Sequence, residues 1–406
     1  MTVRRTTARL AWIFVLCAAA GAGAQSLPAE PIALADGRVT IGGDVSASIP
    51  SSDPGFFNYT DYEHSALKLF RLDLSASAKA GPHFTFLGEL RTENLDSVLP
   101  YALYVRIKPW TKRDVDIEVG RIPPTFGAFA RRTYANDNPL IGYPLGYQYL
   151  TTIRPDSLPA SVDELLAKRG RGWQVRYTVG NTSPDHGVPL VTAFKWDTGV
   201  QVHGTVGILS ASVAVTAGTL SNPLFIDDNS GRQFAGRIEL RPVAGLIIGT
   251  SAARGPFVSN AATRVAVGAD NDGEFTQTAW GADAEFSRGY YLLRFETIVN
   301  EWRLPIVGSP TFVLPLGSAS TSLEGRYKIL PGFYVAARVD HLGFSEVTGT
   351  LETEPWDAPV TRLEAGIGYS LQRNLLVKVD YQHDHRDGGP LATTANLVAA
   401  QLSFWF

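Results

Sequence analysis

From residue 38 onward the chain repeats one pattern: about ten residues of alternating apolar and polar side chains, then a break. In 396–406, Val398, Ala400, Leu402, Phe404 and Phe406 share one parity, and Leu397, Ala399, Gln401, Ser403 and Trp405 share the other. In 320–329, Leu323, Gly325, Tyr327 and Ile329 oppose Ser322, Glu324, Arg326 and Lys328. Successive side chains of a strand point to opposite faces, so this period predicts strands with one apolar and one polar face. Seventeen segments qualify, near 38–49, 66–79, 83–94, 100–109, 113–122, 172–181, 198–206, 210–220, 232–241, 245–254, 275–286, 289–299, 319–329, 332–344, 360–371, 374–385 and 396–406. A closed single-chain barrel has an even number. Either 145–153 adds a strand, giving eighteen, the preferred count, or one of the weaker segments (198–206 and 210–220) drops out, giving sixteen.

Charge occupies the polar face in pairs two residues apart: Arg71 and Asp73, Glu89 and Arg91, Arg237 and Glu239, Arg294 and Glu296, Glu324 and Arg326, Arg338 and Asp340, Arg362 and Glu364, Lys378 and Asp380. A soluble sandwich would turn such a face to water. Three observations favour turning it inward, into the lumen of a transmembrane barrel. Aromatic residues cluster near strand ends on the apolar face (Trp173, Tyr177, Trp280, Phe286, Tyr291, Tyr369, Tyr381), as bilayer girdles do. Connections are tight at 80–82, 242–245, 287–289, 330–332 and 372–374, but long at about 50–65, 255–274, 300–318, 345–359 and 386–395. And Arg4, Arg5 and Arg9 precede the apolar run Leu10 to Ala20 and a small-residue site at Ala22 to Ala24, the pattern of a secretory signal peptide. The charged pairs, together with Arg106, are then the expected pore lining, with acids and bases in roughly equal number. Each pair reads either as a cross-strand ion pair stiffening the wall or as part of a transverse field acting on solutes.

Composition narrows the picture further. The lone Cys17 lies inside the signal segment, so disulfides contribute nothing after it. No run of 18 apolar residues follows, which removes helical spans. A net charge of −3 gives no case for nucleic acid. His383 and His385 fall on the outer face, and 270–274 lacks the full calcium-loop spacing, so no metal or other cofactor is expected. No nucleophile-elbow motif occurs, and no catalytic residues are assigned.

The segment 123–171 breaks the period. Pro123, Pro124, Pro139 and Pro144 forbid central strand pairing, and Ser161 with Glu164 forms a capping box for a short helix. Its bases (Arg131, Arg132, Arg154, Lys168, Arg169, Arg171) outnumber its acids (Asp137, Asp156, Asp163, Glu164). Folded inward it would form a constriction, with Arg131 and Arg132 biasing passage toward anions. Outside, it would cap the mouth or touch a neighbouring subunit.

The final strand, ending in Phe404 and Phe406, resembles the carboxy-terminal signal of Gram-negative outer-membrane barrel proteins, which implies recognition by the barrel-assembly machinery. The stretch "GRIPPTFG" (120–127) resembles the phosphate-selective porin-like family. In general porins the third extracellular loop folds into the lumen, and trimers are the habit. The resemblance to the phosphate-selective family implies an anion channel lined by uncompensated bases, whereas here most lumen bases have an acid beside them. The expectation is an all-β protein: signal peptide 1–24, periplasmic segment 25–37, and a transmembrane antiparallel β-barrel of 16 or 18 strands over 38–406. It would be a porin embedded in outer-membrane lipid, a homotrimer passing small hydrophilic solutes with a weak anion preference. The alternatives are a barrel enzyme, lipase or protease, and a plugged structural or adhesive barrel.

Overall fold

The computed structural model describes residues 30–59, 65–308 and 311–406; the expected signal peptide lies outside the described residues. Sixteen antiparallel strands close into a barrel: β1 Val39–Pro50, β2 Phe70–Ala80, β3 Phe84–Glu93, β4 Ser97–Ile107, β5 Val115–Ile122, β6 Asp197–Val206, β7 Leu209–Thr216, β8 Gln233–Val243, β9 Leu246–Pro256, β10 Thr276–Arg288, β11 Tyr291–Ile306, β12 Phe312–Leu330, β13 Phe333–Phe344, β14 Val360–Gln372, β15 Leu375–Arg386 and β16 Thr394–Trp405. Each pairs with its sequence neighbours, and β1 pairs with β16 to complete the ring. At the seam, Gly43 and Phe406 exchange backbone hydrogen bonds of 3.0 and 2.9 Å. The Phe406 ring lies where a side chain at Gly43 would stand, so glycine is what lets the terminal ring fold over β1.

The count is sixteen rather than eighteen, and the doubtful segments are not the ones that fail. β6 and β7 are regular strands in full register. It is 172–181 that is no wall strand. It carries an isolated bridge, Val175 to Asp185, and a two-residue ladder between Ser157–Leu158 and Val179–Gly180. Residues 145–153 hold a single helical turn, Leu145–Gln148, buried on all sides. Both segments belong to one connection running from β5 to β6, residues 123–196. The expected long connection at 300–318 is instead mostly strand, because β11 and β12 continue past the rim and pair to Ile306 and Phe312.

Tight turns gather at one end of the barrel, here the turn end, and longer connections at the other, the loop end. The outer face is a belt of exposed apolar side chains, among them Leu293, Leu323, Val339, Leu363, Val398 and Leu402. Trp280, Phe286, Tyr291, Tyr369 and Tyr381 join it, as expected of girdle residues. Trp173 and Tyr177 do not: they sit in the long connection, Trp173 stacked on Phe56 at 4.3 Å and Tyr177 fully buried. In water this belt would be a large aggregation-prone surface, whereas lipid solvates it.

Candidate functional site: the filled lumen

All of the charged residues expected on the inner wall face the lumen, and most of them are sealed from water. Arg71, Asp73, Glu89, Arg91, Arg237, Glu324, Arg338, Asp340, Arg362, Glu364, Lys378 and Asp380 are buried; Arg106, Glu239, Arg294, Glu296 and Arg326 are partly exposed. The cause is the connection 123–196, which folds back through the loop end and fills that half of the barrel. It is the third connection at this end, after 51–69 and 94–96. On every strand at least one lumen-facing side chain toward the loop end is buried, from Ser48 on β1 through Arg91, Gln201, Ala253, Asn300 and Leu342 to Leu397 on β16.

An apolar core forms inside the lumen. Phe126, Phe129, Leu145, Tyr147 and Leu190 of the connection pack with Ile298, Trp302, Leu316, Leu342 and Leu397 of the wall. Such packing stabilises through area removed from water, about 25 cal/mol per Å² of apolar surface. Ser161 caps the helix Val162–Leu166 by accepting from the Glu164 N–H at 3.1 Å, as the spacing predicts, while Glu164 reaches back one residue beyond the cap to accept from the Ala160 N–H at 2.7 Å.

The wall charges hold this plug. Glu364 accepts from the Gly142 N–H at 2.9 Å, and Asp380 accepts from the Ile141 N–H. Glu296 accepts from the Ala128 N–H at 2.7 Å and the Tyr147 hydroxyl at 2.6 Å. The Lys378 ammonium donates to the carbonyls of Ala135, Asn138 and Leu140 at 2.9 to 3.2 Å. Arg362 donates to Tyr143 O at 3.2 Å and Phe57 O at 3.0 Å, and Arg71 to Thr133 O at 3.1 Å. Asp357, in the connection before β14, accepts from Thr152 N–H and Gly170 N–H at 2.9 and 2.7 Å; burial pushes its carboxyl above the ordinary range, against the pull of those donors.

Between these anchors the wall charges pair with one another, as the alternation predicts. A chain of opposite charges crosses five strands: Arg132–Glu285 (2.6 Å), Glu285–Arg294 (3.1 Å), Arg294–Glu324 (3.1 Å), Glu324–Arg338 (3.3 Å), and Arg338 with both Asp340 (2.8 Å) and Glu364 (2.5 Å). Arg71 pairs with Glu93, Arg91 with Asp73 and Glu89, Arg237 with Asp283 and Glu239, and Arg106 with Glu118. The acids Glu93, Asp283, Glu285 and Asp384 belong to this network too, although none is among the pairs expected from the sequence. Cross-strand register, not spacing along one strand, puts them there: Arg71 lies opposite Glu93, Glu285 opposite Arg294, and Arg362 opposite Asp384.

The two arginines expected at the constriction part company. Arg132 is tied to Glu285, while Arg131 is exposed toward the turn end, its Nε donating to Pro124 O at 2.8 Å. Along β5 to β9 the plug meets small apolar wall residues, Ile122, Ala214, Ala235 and Ala253, with few polar anchors. A small cavity of about 30 Å³ separates the two there, lined by Pro123, Pro124 and Val191 on the plug side. His383 and His385 face outward as expected, bonded to Asn396 and Thr394, and Asp270 pairs with Arg264.

No protein-family model matches the chain, and no curated protein matches it. Among solved structures, the chain is similar to OmpF of Salmonella typhi in complex with daunomycin (12% identity, 91% of this chain and 97% of that chain, TM-score 0.56). It is similar also to OmpT, an outer membrane protein of Vibrio cholerae (11%, 93% and 100%, TM-score 0.53), and to an anion-selective porin from Comamonas acidovorans (10%, 91% and 99%, TM-score 0.51). At these identities the likeness is one of architecture. The chain folds as a sixteen-stranded, porin-like transmembrane β-barrel.

Proposed function

We propose that this protein is an outer-membrane channel for small hydrophilic solutes, with a weak anion preference set by the plug. The observation that carries the reading is a charged, water-accessible turn-end lumen beneath a third connection folded into the barrel. By the usual asymmetry of such barrels, the turn end faces the periplasm and the loop end the outside. The route this reading assigns to solute runs between the plug and β5–β9, where polar anchors are few and the gap of about 30 Å³ has to widen, and leads on to Arg131. Arg131 dominates selectivity because acid neighbours cancel most wall bases, whereas its guanidinium has no ion pair within bonding distance among the described residues.

Planar-bilayer recording tests this. The wild-type chain should conduct and show an anion-favouring reversal potential in a salt gradient; Arg131→Gln should move that potential toward cations. Arg132→Gln alone should move it the same way but less, since Glu285 stays paired with Arg294. An unchanged potential in Arg131→Gln sinks the selectivity argument. The continuous burial of the wall at the loop end favours a second reading, a plugged structural barrel, and zero wild-type conductance would establish it. A barrel-embedded lipase or protease is not proposed; turnover of lipid or peptide substrates would argue for one.

We further propose that Phe404 and Phe406 act as the assembly signal read by the barrel-assembly machinery, since they lie on the outer face at the seam. Phe404→Ser with Phe406→Ser should leave secretion intact and shift the protein from the outer membrane to the periplasm. Normal heat-modifiable barrel in the outer membrane would refute that. The same unheated gels read the proposed homotrimer as a band of three-fold mass.

A further inference from the structure

Beneath the plug, the turn end of the lumen holds a cavity of about 630 Å³ between the plug residues Asn136, Asn138 and Pro139 and the wall of β12–β16. Its wall bears Arg326, Lys328, Tyr334, Leu376 and Trp405, with Arg373 on the rim; no carboxylate lines it. We infer that this vestibule binds an amphipathic organic anion, a carboxylate carried on a small apolar or aromatic body.

The charge argument comes first. Arg71, Arg91, Arg106, Arg237, Arg294, Arg338 and Arg362 each pair with an acid. Among the described residues, Arg326 and Lys328 make no ion pair, and the Arg326 Nε is buried without a hydrogen-bond partner. Glu324, the acid two residues away, is already engaged by Arg294 and Arg338. A partly buried guanidinium without a counter-charge is costly in a wall that otherwise balances its charges, and a bound carboxylate would meet that deficit bidentately. Arg373 contributes less, since it pairs on the exposed rim with Glu30 at 2.9 Å.

Shape selects the rest of the ligand. The Arg326 guanidinium lies 5.7 Å from the centre of the Tyr334 ring, whose hydroxyl donates to Pro139 O at 3.0 Å and so fixes the ring beneath the plug. Tyr334 and Leu376 form an apolar cluster with Leu140 and Ala336, with Trp405 packed against it. Charge on one side and rings and aliphatic carbon on the other suit a ligand with a charged head and an apolar body. The volume falls in the range of small-molecule sites. Inorganic phosphate would satisfy the bases and leave the apolar wall wet.

Binding in detergent needs no conduction, so this proposal stands or falls separately from the channel. Calorimetric titration of the purified full chain with phenylacetate should saturate. Phenylacetamide, its neutral isostere, and inorganic phosphate should each bind at least about tenfold more weakly, the difference a charge-assisted bond and an apolar contact supply. Arg326→Gln combined with Lys328→Gln should weaken phenylacetate about tenfold or more and leave heat-modifiable gel migration unchanged, because neither side chain anchors the plug. Failure of phenylacetate to saturate, equal binding of the amide or of phosphate, or an unaltered double variant each overturns the inference.

Discussion

A barrel from which residues 124–195 are excised should conduct several-fold more current than the full chain and lose its anion preference. The geometry makes the variant feasible: Ile122 and Asp197 are direct antiparallel partners, so joining 123 to 196 through Asn-Gly makes a two-residue hairpin turn. The backbone ladder of the sixteen strands does not pass through the plug and is retained. What the barrel loses is the apolar core around Trp302, Leu316, Leu342 and Leu397, which then faces water, so the variant should also unfold at lower urea. Conductance equal to that of the full chain would mean that the plug is out of the current path. In that event the filled loop end would have to be a crevice beside an open pore.

Breaking the wall network should be the most destabilising single change. Arg338→Met leaves the buried carboxylates of Asp340, Glu364 and Glu324 short of their shared cation, at a cost of about 3–5 kcal/mol for removing one partner of a buried pair. Arg338→Lys should cost less, since charge is kept and only the fork geometry is lost. Glu364 also accepts from the Gly142 N–H, so the Met variant should loosen the plug as well. Equilibrium unfolding in lipid vesicles measures the first effect and bilayer conductance the second. A cost below about 1 kcal/mol would show that these pairs behave as exposed ones do.

Much of the barrel was legible because a strand between lipid and a polar lumen must alternate. On the sixteen strands the apolar parity turns outward, as Leu323, Val339 and Leu363 do, whereas Trp173 and Tyr177, given the same parity, fall in the plug. The plug was misread because its environment imitates that of a strand. In 172–181, Trp173, Val175 and Tyr177 alternate with Gln174, Arg176 and Thr178, yet the segment belongs to the plug: Val175 and Tyr177 join its core, Trp173 stacks on Phe56, and the three polar side chains are exposed. The stretch 188–194 is buried throughout and so shows no period at all. The role of the wall charges was hidden for another reason. A carboxylate lining water and one accepting from a folded-in backbone look alike in sequence, and only the partner's arrival distinguishes Glu364 or Asp380 as an anchor.

Those anchors also dictate an order of events. Gly142 meets Glu364 across 222 residues of chain and Ile141 meets Asp380 across 239. The plug is therefore synthesised long before the strands that grip it exist. Until β14 and β15 are in place its backbone lacks the carboxylates that hold it, and contacts of such sequence separation close slowly. Seating of the plug should thus be a late folding phase, following strand closure. During that interval the apolar stretch 140–153 would be exposed and prone to associate with other chains.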